Sequence, residues 1–154
     1  MYPKCEALKA AIARKNWTPA TLAKAVSDRY GTKRANGSPF DGFYIQGLIT
    51  GDEYAPDSLR EKIARVLGQK VKVTFPEYLI ECRTLALVRE GENILQSDLA
   101  EQASEYAFKI IRSLDISAYE RGHRFCHPDT REAIAKALNL PVNELFPEYA
   151  DFCG

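Results

Sequence analysis

An internal repeat constrains this chain more than any other feature of its sequence. The clearest matches lie at an offset of 71 residues: REKIARVL (60–67) with REAIAKAL (131–138), and FPEY (75–78) with FPEY (146–149). Nearer the start of each copy the offset lengthens to 77, as in Leu22 and Leu99. A repeat of this length indicates two related structural units, which we place at residues 1–78 and 79–154.

Each unit is predicted to be helical throughout. Capping signals predict helix starts at four places: Thr18-Pro19, Ser38-Pro39, Ser58 with Glu61, and Asp129 with Glu132. Gly68 and Asn139, at equivalent repeat positions, are the residue types that best tolerate the left-handed conformation at a helix end. Because no alternating apolar run is long enough for a sheet, the fold class is predicted to be all-α.

The charge is balanced overall but unevenly distributed. Lys and Arg number 21, as do Asp and Glu, which excludes a uniformly basic nucleic-acid coat. Residues 1–77 carry 13 basic and 8 acidic side chains, whereas residues 78–154 carry 8 and 13. The basic first unit is the kind of surface that attracts a polyanion, and the acidic second unit offers a contact surface for a protein partner.

Neither a membrane span nor an export signal is evident. No apolar run approaches the ~20 residues that a spanning helix needs, and the first residues lack an apolar signal segment, so a cytoplasmic protein is expected. The four cysteines are far apart, which favours reduced thiols. Cys82 and Cys153 occupy equivalent repeat positions and are both expected to be buried.

A set of spaced residues covers nearly the whole second unit. They are Leu85, Val88, Arg89, Glu90, Ile94, Gln96, Leu99, Ala100, Ile116, Ser117, Glu120, Arg121, Gly122, Arg124, Pro128, Ile134, Ala135, Ala137, Leu138, Asn139, Leu140, Pro141, Glu144, Leu145 and Phe146. In this pattern the unit resembles the lambda-repressor-like (Cro-type, XRE) helix-turn-helix family, and the first unit resembles it more loosely. The resemblance implies two tandem DNA-binding modules of about five helices each, in a regulator that is usually dimeric.

Both units depart from the family where its two central helices are joined. The motif uses a turn of three or four residues there, but the connections within residues 22–51 and 99–122 are much longer. The first insertion, at residues 31–38, is rich in turn residues and is predicted to be a basic surface loop. The second contains no Gly or Pro between residues 91 and 122, so it is expected to lengthen a helix.

Two registers remain open for the recognition helix of the second unit. Anchoring the alignment on residues 116–122 turns four residues toward the major groove: Arg112, Ser113, Ser117 and Ala118. Anchoring it on the cap instead starts the helix at Glu105 and presents Lys109 and Arg112. Arg112 belongs to both registers, and Arg can pair bidentately with guanine.

In the first unit the corresponding helix is predicted from Pro39 to about Ile49. It is expected to present Tyr44 and Gln46 to DNA, with Gly47 allowing close approach. Further residues are expected to hold backbone phosphates: Gln96, Arg121, Arg124, Lys33 and Arg34. Exposed charges without this role are expected at Arg89, Arg131 and Lys136.

No catalytic or metal site is predicted. His123, Cys126 and His127 have ligand chemistry suited to zinc, but a fourth ligand is missing from the cluster. Phosphate loops, nucleophile elbows and paired carboxylates are also missing. The sequence therefore favours a non-enzymatic, repressor-type transcriptional regulator of bacterial or phage kind, without a cofactor, that binds double-stranded DNA as a homodimer. The alternative is a protein-interaction module, antitoxin-like or regulator-binding, that holds a partner through a degenerate helix-turn-helix fold.

Overall fold

The structure is a computed structural model that describes residues 1–34 and 36–152. Within these ranges the secondary structure is helical without any β-strand, so the prediction of an all-α chain is confirmed. The chain divides into two compact units, Met1–Tyr78 and Leu79–Gly154. None of the helices in the described ranges combines the length and apolar character needed to cross a bilayer.

The helices follow one order in both units. Unit one contains α1 (Glu6–Arg14), α2 (Pro19–Tyr30), α3 (Gly42–Thr50), α4 (Asp57–Val66), α5 (Val71–Thr74) and a 3-10 helix (Pro76–Tyr78). Unit two contains α6 (Arg83–Gly91), α7 (Gln96–Ser104), α8 (Ser113–Glu120), α9 (Pro128–Ala137), α10 (Val142–Leu145) and a 3-10 helix (Pro147–Phe152). In both units the second helix packs closely against the third: α2 on α3, and α7 on α8.

The predicted start at Thr18 is confirmed, but the one at Ser38 is wrong. The Thr18 side chain accepts a hydrogen bond from the Thr21 amide, which caps α2. The third helix begins later than expected because Asp41 provides its cap, accepting from the Tyr44 amide at 3.1 Å. Ser38 instead donates its own amide to the Asn36 side chain within a turn.

Both predicted capping boxes are also wrong. Helix α4 begins at Asp57, so Ser58 lies inside its first turn, and no side chain caps this helix. Helix α9 begins at Pro128, and His127 provides its cap: Nδ1 of His127 accepts from the Asp129 amide at 3.3 Å. The two equivalent helices therefore begin differently, one without a side-chain cap and one with a histidine.

Two of the remaining local predictions can be checked directly. Gly68 and Asn139 have φ of 70° and 54°, so both adopt the left-handed conformation predicted for them. Cys82 is buried as expected, whereas Cys153 lies outside the described residues. The spatial counterpart of Cys82 is Cys5, since each cysteine lies just before the first helix of its unit.

Long-range hydrogen bonds repeat between the units. In unit one, Glu77 Oε1 accepts from the Ala7 amide at 2.9 Å. In unit two, Glu148 Oε1 accepts from the Thr84 amide at 2.8 Å. Each bond joins the first helix of a unit to its final 3-10 helix. The repeat therefore extends to the contacts that close each unit, as well as to the helix order.

The same correspondence holds for two buried tyrosines. The hydroxyl of Tyr78 accepts from the Ala55 amide at 3.3 Å, and the hydroxyl of Tyr149 accepts from the Cys126 amide at 2.9 Å. These bonds satisfy backbone amides of the loop before the fourth helix of each unit. Buried amides require such partners, so each tyrosine positions that loop.

The expectation that the second insertion lengthens a helix is wrong. Helix α7 ends at Ser104, and the chain then forms a loop until α8 begins at Ser113. The Ser104 hydroxyl donates to the Ala100 carbonyl at 2.7 Å and accepts from the Ile111 amide at 2.9 Å. Ile111 is buried. This anchoring reverses the chain, which explains why the helix stops without a glycine or proline.

Candidate nucleic-acid interface

The third helix of unit two carries the residues that the first register placed in the groove. The outward side of α8 is formed by Arg112, Ser113, Leu114, Ser117 and Arg121, of which only Ser117 is half-buried. The bounds of α8, Ser113–Glu120, agree with the register anchored on residues 116–122, although Ala118 of that register is half-buried. The alternative register is wrong, since Glu105 begins no helix and Lys109 lies exposed in the loop before α8.

The first acidic residue of α8 is turned inward and is held by two arginines. Asp115 accepts from the Arg112 amide at 2.9 Å and is ion-paired with the Arg112 and Arg124 side chains. Burial alone raises the pKa of Asp115, but the hydrogen bonds from Arg112 and the charges of both arginines outweigh it and lower that pKa. Arg112 keeps 65% of its side chain exposed, whereas Arg124 is committed more deeply to Asp115.

The second acidic residue of α8 closes a buried polar cluster. Arg89 donates to Glu120 at 2.6 Å and 3.2 Å and to the Ile94 carbonyl at 2.8 Å. Gln96 donates to Glu120 at 2.8 Å. The structure therefore gives Gln96 an internal partner instead of leaving its side chain directed at a phosphate. Arg89 was expected to be an exposed charge, which is wrong because only 11% of its side chain is exposed.

The third helix of unit one turns different residues outward from those predicted. Tyr44 is buried, and its hydroxyl donates to the Tyr54 carbonyl at 2.6 Å. Burial raises the pKa of Tyr44 to about 12 despite the nearby Arg34. Its assignment as a groove-facing residue is therefore wrong. Gln46 is exposed as expected, and it shares the outward side of α3 with Phe43 and Thr50.

The two predicted phosphate contacts in the first insertion have different surroundings. Lys33 is exposed. Arg34 pairs with Glu53 at 2.8 Å and lies 4.3 Å from the centre of the Tyr44 ring, with 18% of its side chain exposed. Gly47 is also turned toward Glu53, since a Cβ there would lie 2.5 Å from the Glu53 side chain. The close approach that Gly47 permits is thus to Glu53.

Comparison with known proteins identifies no similar protein. The chain matches no protein-family model, no curated protein and no solved structure. The functional assignment consequently rests on the residues and their geometry.

Sequence reasoning missed the exposed apolar residues beside the third helices. Phe43 on α3 and Leu114 on α8 are 88% and 73% exposed, and they occupy equivalent repeat positions. Phe108 and Ile110, in the loop before α8, are also exposed. The sequence signal for Phe108 and Ile110 is the mainly apolar segment 106–111, which is interrupted only by Lys109.

Sequence reasoning also missed the acidic character of α7. Asp98, Glu101 and Glu105 are all exposed and line one shallow groove on and beside this helix. No basic residue occurs between residues 90 and 108. Helix α7 therefore presents a negative surface beside the positive outward side of α8.

Proposed function

We propose that the protein is a sequence-specific, DNA-binding transcriptional regulator of repressor type, built on helix-turn-helix modules of lambda-repressor-like kind. One observation carries this proposal: both acidic residues of α8 are turned inward and paired with arginines. Asp115 is held by Arg112 and Arg124, and Glu120 is held by Arg89. The outward side of α8 is consequently free of carboxylates and can meet DNA without like-charge repulsion.

The exposed groups on this side have the chemistry of groove recognition. Arg112 lies at the N-terminal end of α8, where its long side chain can reach a guanine edge. Ser113 and Ser117 follow on the same side and can bond to base edges or phosphates. Arg121 at the other end of the helix and Lys109 before it supply charges for the two flanking phosphate backbones.

Unit one offers a different set of exposed side chains for DNA binding. Helix α3 contains no acidic residue and turns Gln46 outward, and Gln can pair bidentately with adenine. Phe43 and Thr50 flank it on the same side and can contact a thymine methyl group. Lys33 is available for phosphate, whereas Arg34 is engaged by Glu53.

The decisive experiment measures fluorescence anisotropy of a labelled random-sequence duplex with the full chain at several salt concentrations. DNA binding should weaken steeply as salt rises, because each phosphate contact releases a counterion. Arg121→Ala should flatten that dependence. Lys136→Ala is the matched control because Lys136 is an exposed cation on α9 and is not part of α8. The absence of binding at low salt would reject the proposal.

A second candidate function, a protein-interaction module, is favoured by the surface of unit two. In a helix-turn-helix the first helix of the pair crosses the DNA backbone, yet α7 exposes Asp98, Glu101 and Glu105. Exposed apolar residues such as Phe108 and Ile110 are more typical of a protein contact.

Reversing charges on α7 separates the two functions. If unit two docks on DNA, Glu101→Lys with Glu105→Lys should tighten binding to any duplex by adding phosphate contacts. If unit two binds a protein instead, the same substitutions should leave DNA affinity unchanged. If α2 of unit one contacts the DNA backbone, Lys24→Glu on that helix should weaken DNA binding even where the α7 substitutions have no effect.

A further inference from the structure

Unit one contains a cleft that shares only Lys33 with the proposed DNA contacts. It has a volume of about 370 Å³ and lies between the α2–α3 loop and the first turn of α4. Its walls include Thr32, Lys33, Arg34, Phe40, Tyr54 and Lys62. Volumes of this size fall at the lower end of the ~300–1,000 Å³ typical of small-molecule sites. The outward side of α3 is formed by other residues, so the cleft is a separate feature.

The charge lining the cleft is positive. Lys33, Arg34 and Lys62 all contribute, and none of the described lining residues is acidic. The charge of Arg34 is paired with the carboxylate of Glu53. Lys33 and Lys62 form no ion pair among the described residues. The Lys62 ammonium lies 5.8 Å from the centre of the Tyr30 ring, which offsets only part of its charge. Two ammonium groups that line one cleft without a carboxylate partner favour an anionic ligand.

Two further features point to a ligand. The hydroxyl oxygen of Thr32 is buried and makes no hydrogen bond within the described part of the chain. Buried polar atoms are normally paired, so this hydroxyl is available to a bound molecule. Helix α4 also begins at the cleft, through Pro56 and Ser58, without a side-chain cap. The first turn also contains Asp57, but its carboxylate is ion-paired with Arg60, so the uncapped amides of this turn can attract a phosphate.

Aromatic rings form the remaining wall. Phe40 and Tyr54 are both half-buried. The Phe40 ring contacts the Tyr44 ring at 5.5 Å, and the Tyr54 ring contacts the Tyr2 ring at 5.3 Å, between ring centres. Rings fixed in this way offer a flat apolar surface on which a planar base can stack. The cleft thus combines an anion-binding end with an aromatic wall.

The corresponding cleft of unit two also has aromatic and basic walls, formed by Tyr106, Phe108, Lys109 and Lys136, but it differs in its acidic residues and its helix cap. It lies between the α7–α8 loop and α9, and its walls include the carboxylates Asp129 and Glu132. His127 caps the first turn of α9, so one of its amides is already occupied. The lining of the unit-one cleft is therefore basic without a carboxylate, whereas in unit two the carboxylates Asp129 and Glu132 balance Lys109 and Lys136.

We propose that the unit-one cleft binds a nucleoside monophosphate. Its phosphate lies near Lys33, Lys62 and the first turn of α4, and its base lies against Phe40 and Tyr54. This inference does not depend on DNA binding, because Lys62, Phe40, Tyr54 and the first turn of α4 take no part in the proposed DNA contacts.

Isothermal titration calorimetry of the full chain with AMP, adenosine and inorganic phosphate tests the proposal. AMP should bind at a single site and at least about tenfold more tightly than either fragment, since only AMP engages both the cations and the rings. Equal affinity for AMP and inorganic phosphate would overturn the proposal, because the aromatic wall would then contribute nothing.

Charge-reversal variants locate the site. Lys62→Glu should weaken AMP binding by about tenfold or more, and Lys33→Glu provides a second variant on the other wall. Lys136→Glu, which alters the cleft of unit two, should bind AMP like the unmodified chain. Circular dichroism should show that all three remain folded. Comparable losses in Lys136→Glu and Lys62→Glu would overturn the assignment. Arg112→Ala should retain AMP binding whether or not DNA binding is found.

Discussion

The guanidinium of Arg131 lies 4.2 Å from the centre of the Tyr149 ring, and both side chains are buried. Arg60 and Tyr78 repeat this arrangement in unit one at 4.3 Å. A buried cation requires compensation, and the face of an aromatic ring provides part of it. Each pair joins the fourth helix of its unit to the final 3-10 helix. Arg131 was expected to be an exposed charge, which is wrong, whereas Lys136 is exposed as expected.

We expect Arg131→Ala to lower the free energy of unfolding by about 2–4 kcal/mol, because it removes a packed side chain and leaves a cavity against Tyr149. Arg131→Met should cost less, since an apolar side chain of similar length refills the space without a buried charge. Urea unfolding measures both variants. The exposed Arg121→Ala should change stability by less than about 0.5 kcal/mol. A similarly small effect of Arg131→Ala would show that the pair contributes little.

Gly122 and Gly68 provide a matched pair for backbone strain. Both have φ of 70°, but a Cβ at Gly122 would lie 2.8 Å from the Glu81 amide nitrogen, whereas nothing lies within 4 Å at Gly68. Gly68→Ala should therefore cost about 1 kcal/mol from the left-handed conformation alone. Gly122→Ala should cost about 2–3 kcal/mol because the clash is added. Equal costs in thermal unfolding would contradict the contact with Glu81.

Stability should fall as the pH is lowered through the titration range of His127. Burial lowers the pKa of His127, with Lys109 and Arg131 adding to this effect and Asp129 opposing it. The pKa of His127 in the folded chain lies below its ordinary value of 6.5. The stability that neutral His127 contributes is therefore fully present above pH 6.5 and is lost as the pH falls through the folded pKa. Protonation of Nδ1 also removes the cap of α9, which is worth about 1 kcal/mol.

Unfolding of His127→Asn provides the check on this pH dependence. The variant retains a capping oxygen but no titrating group, so its stability should change less between pH 7.5 and 5.5. The other histidine, His123, is exposed, and His123→Asn should keep the dependence of the unmodified chain. If His123→Asn alone flattens the curve, the assignment to His127 fails.

If the proposed function is correct, Arg112→Ala should lower specific DNA affinity by about 1–3 kcal/mol, as expected for an arginine that contacts a base edge. Its affinity for random sequence should change less. Anisotropy titrations with an operator selected from a random pool give both values. Lys136→Ala serves as the control, since its charge lies on α9. Unchanged specificity in a folded Arg112→Ala protein would favour the protein-interaction function.

We also expect the chain to form a homodimer. If the proposed function is correct, a dimer would place two recognition helices in successive major grooves, and the opposite net charges of residues 1–77 and 78–154 allow attraction between chains. Sedimentation equilibrium at micromolar concentration should give twice the mass of one chain, and added salt should weaken the dimer. A monomeric mass both free and with DNA would contradict this expectation.

Local signals were sufficient for several parts of the fold. The Thr18 cap and the left-handed ends at Gly68 and Asn139 follow from the requirements of a few neighbouring backbone groups. The all-α class likewise follows from periodicity and capping, which are properties of short segments. Within the candidate interface, the exposure of Gln46 is confirmed. The position of Arg112 at the start of α8 agrees with the register taken from the family resemblance, whereas the register based on the local cap signal is wrong.

Only the tertiary structure decided which polar side chains remain available to a ligand. Gln96 is engaged by Glu120, and Arg34 by Glu53, through contacts between residues 24 and 19 positions apart. Helix α7 ends where Ser104 binds the returning backbone. A charge pattern indicates that an arginine is present, but whether its guanidinium meets a carboxylate, a ring or solvent depends on elements that packing brings together. That choice is made by desolvation and hydrogen bonding in the folded chain, and spacing in the sequence does not encode it.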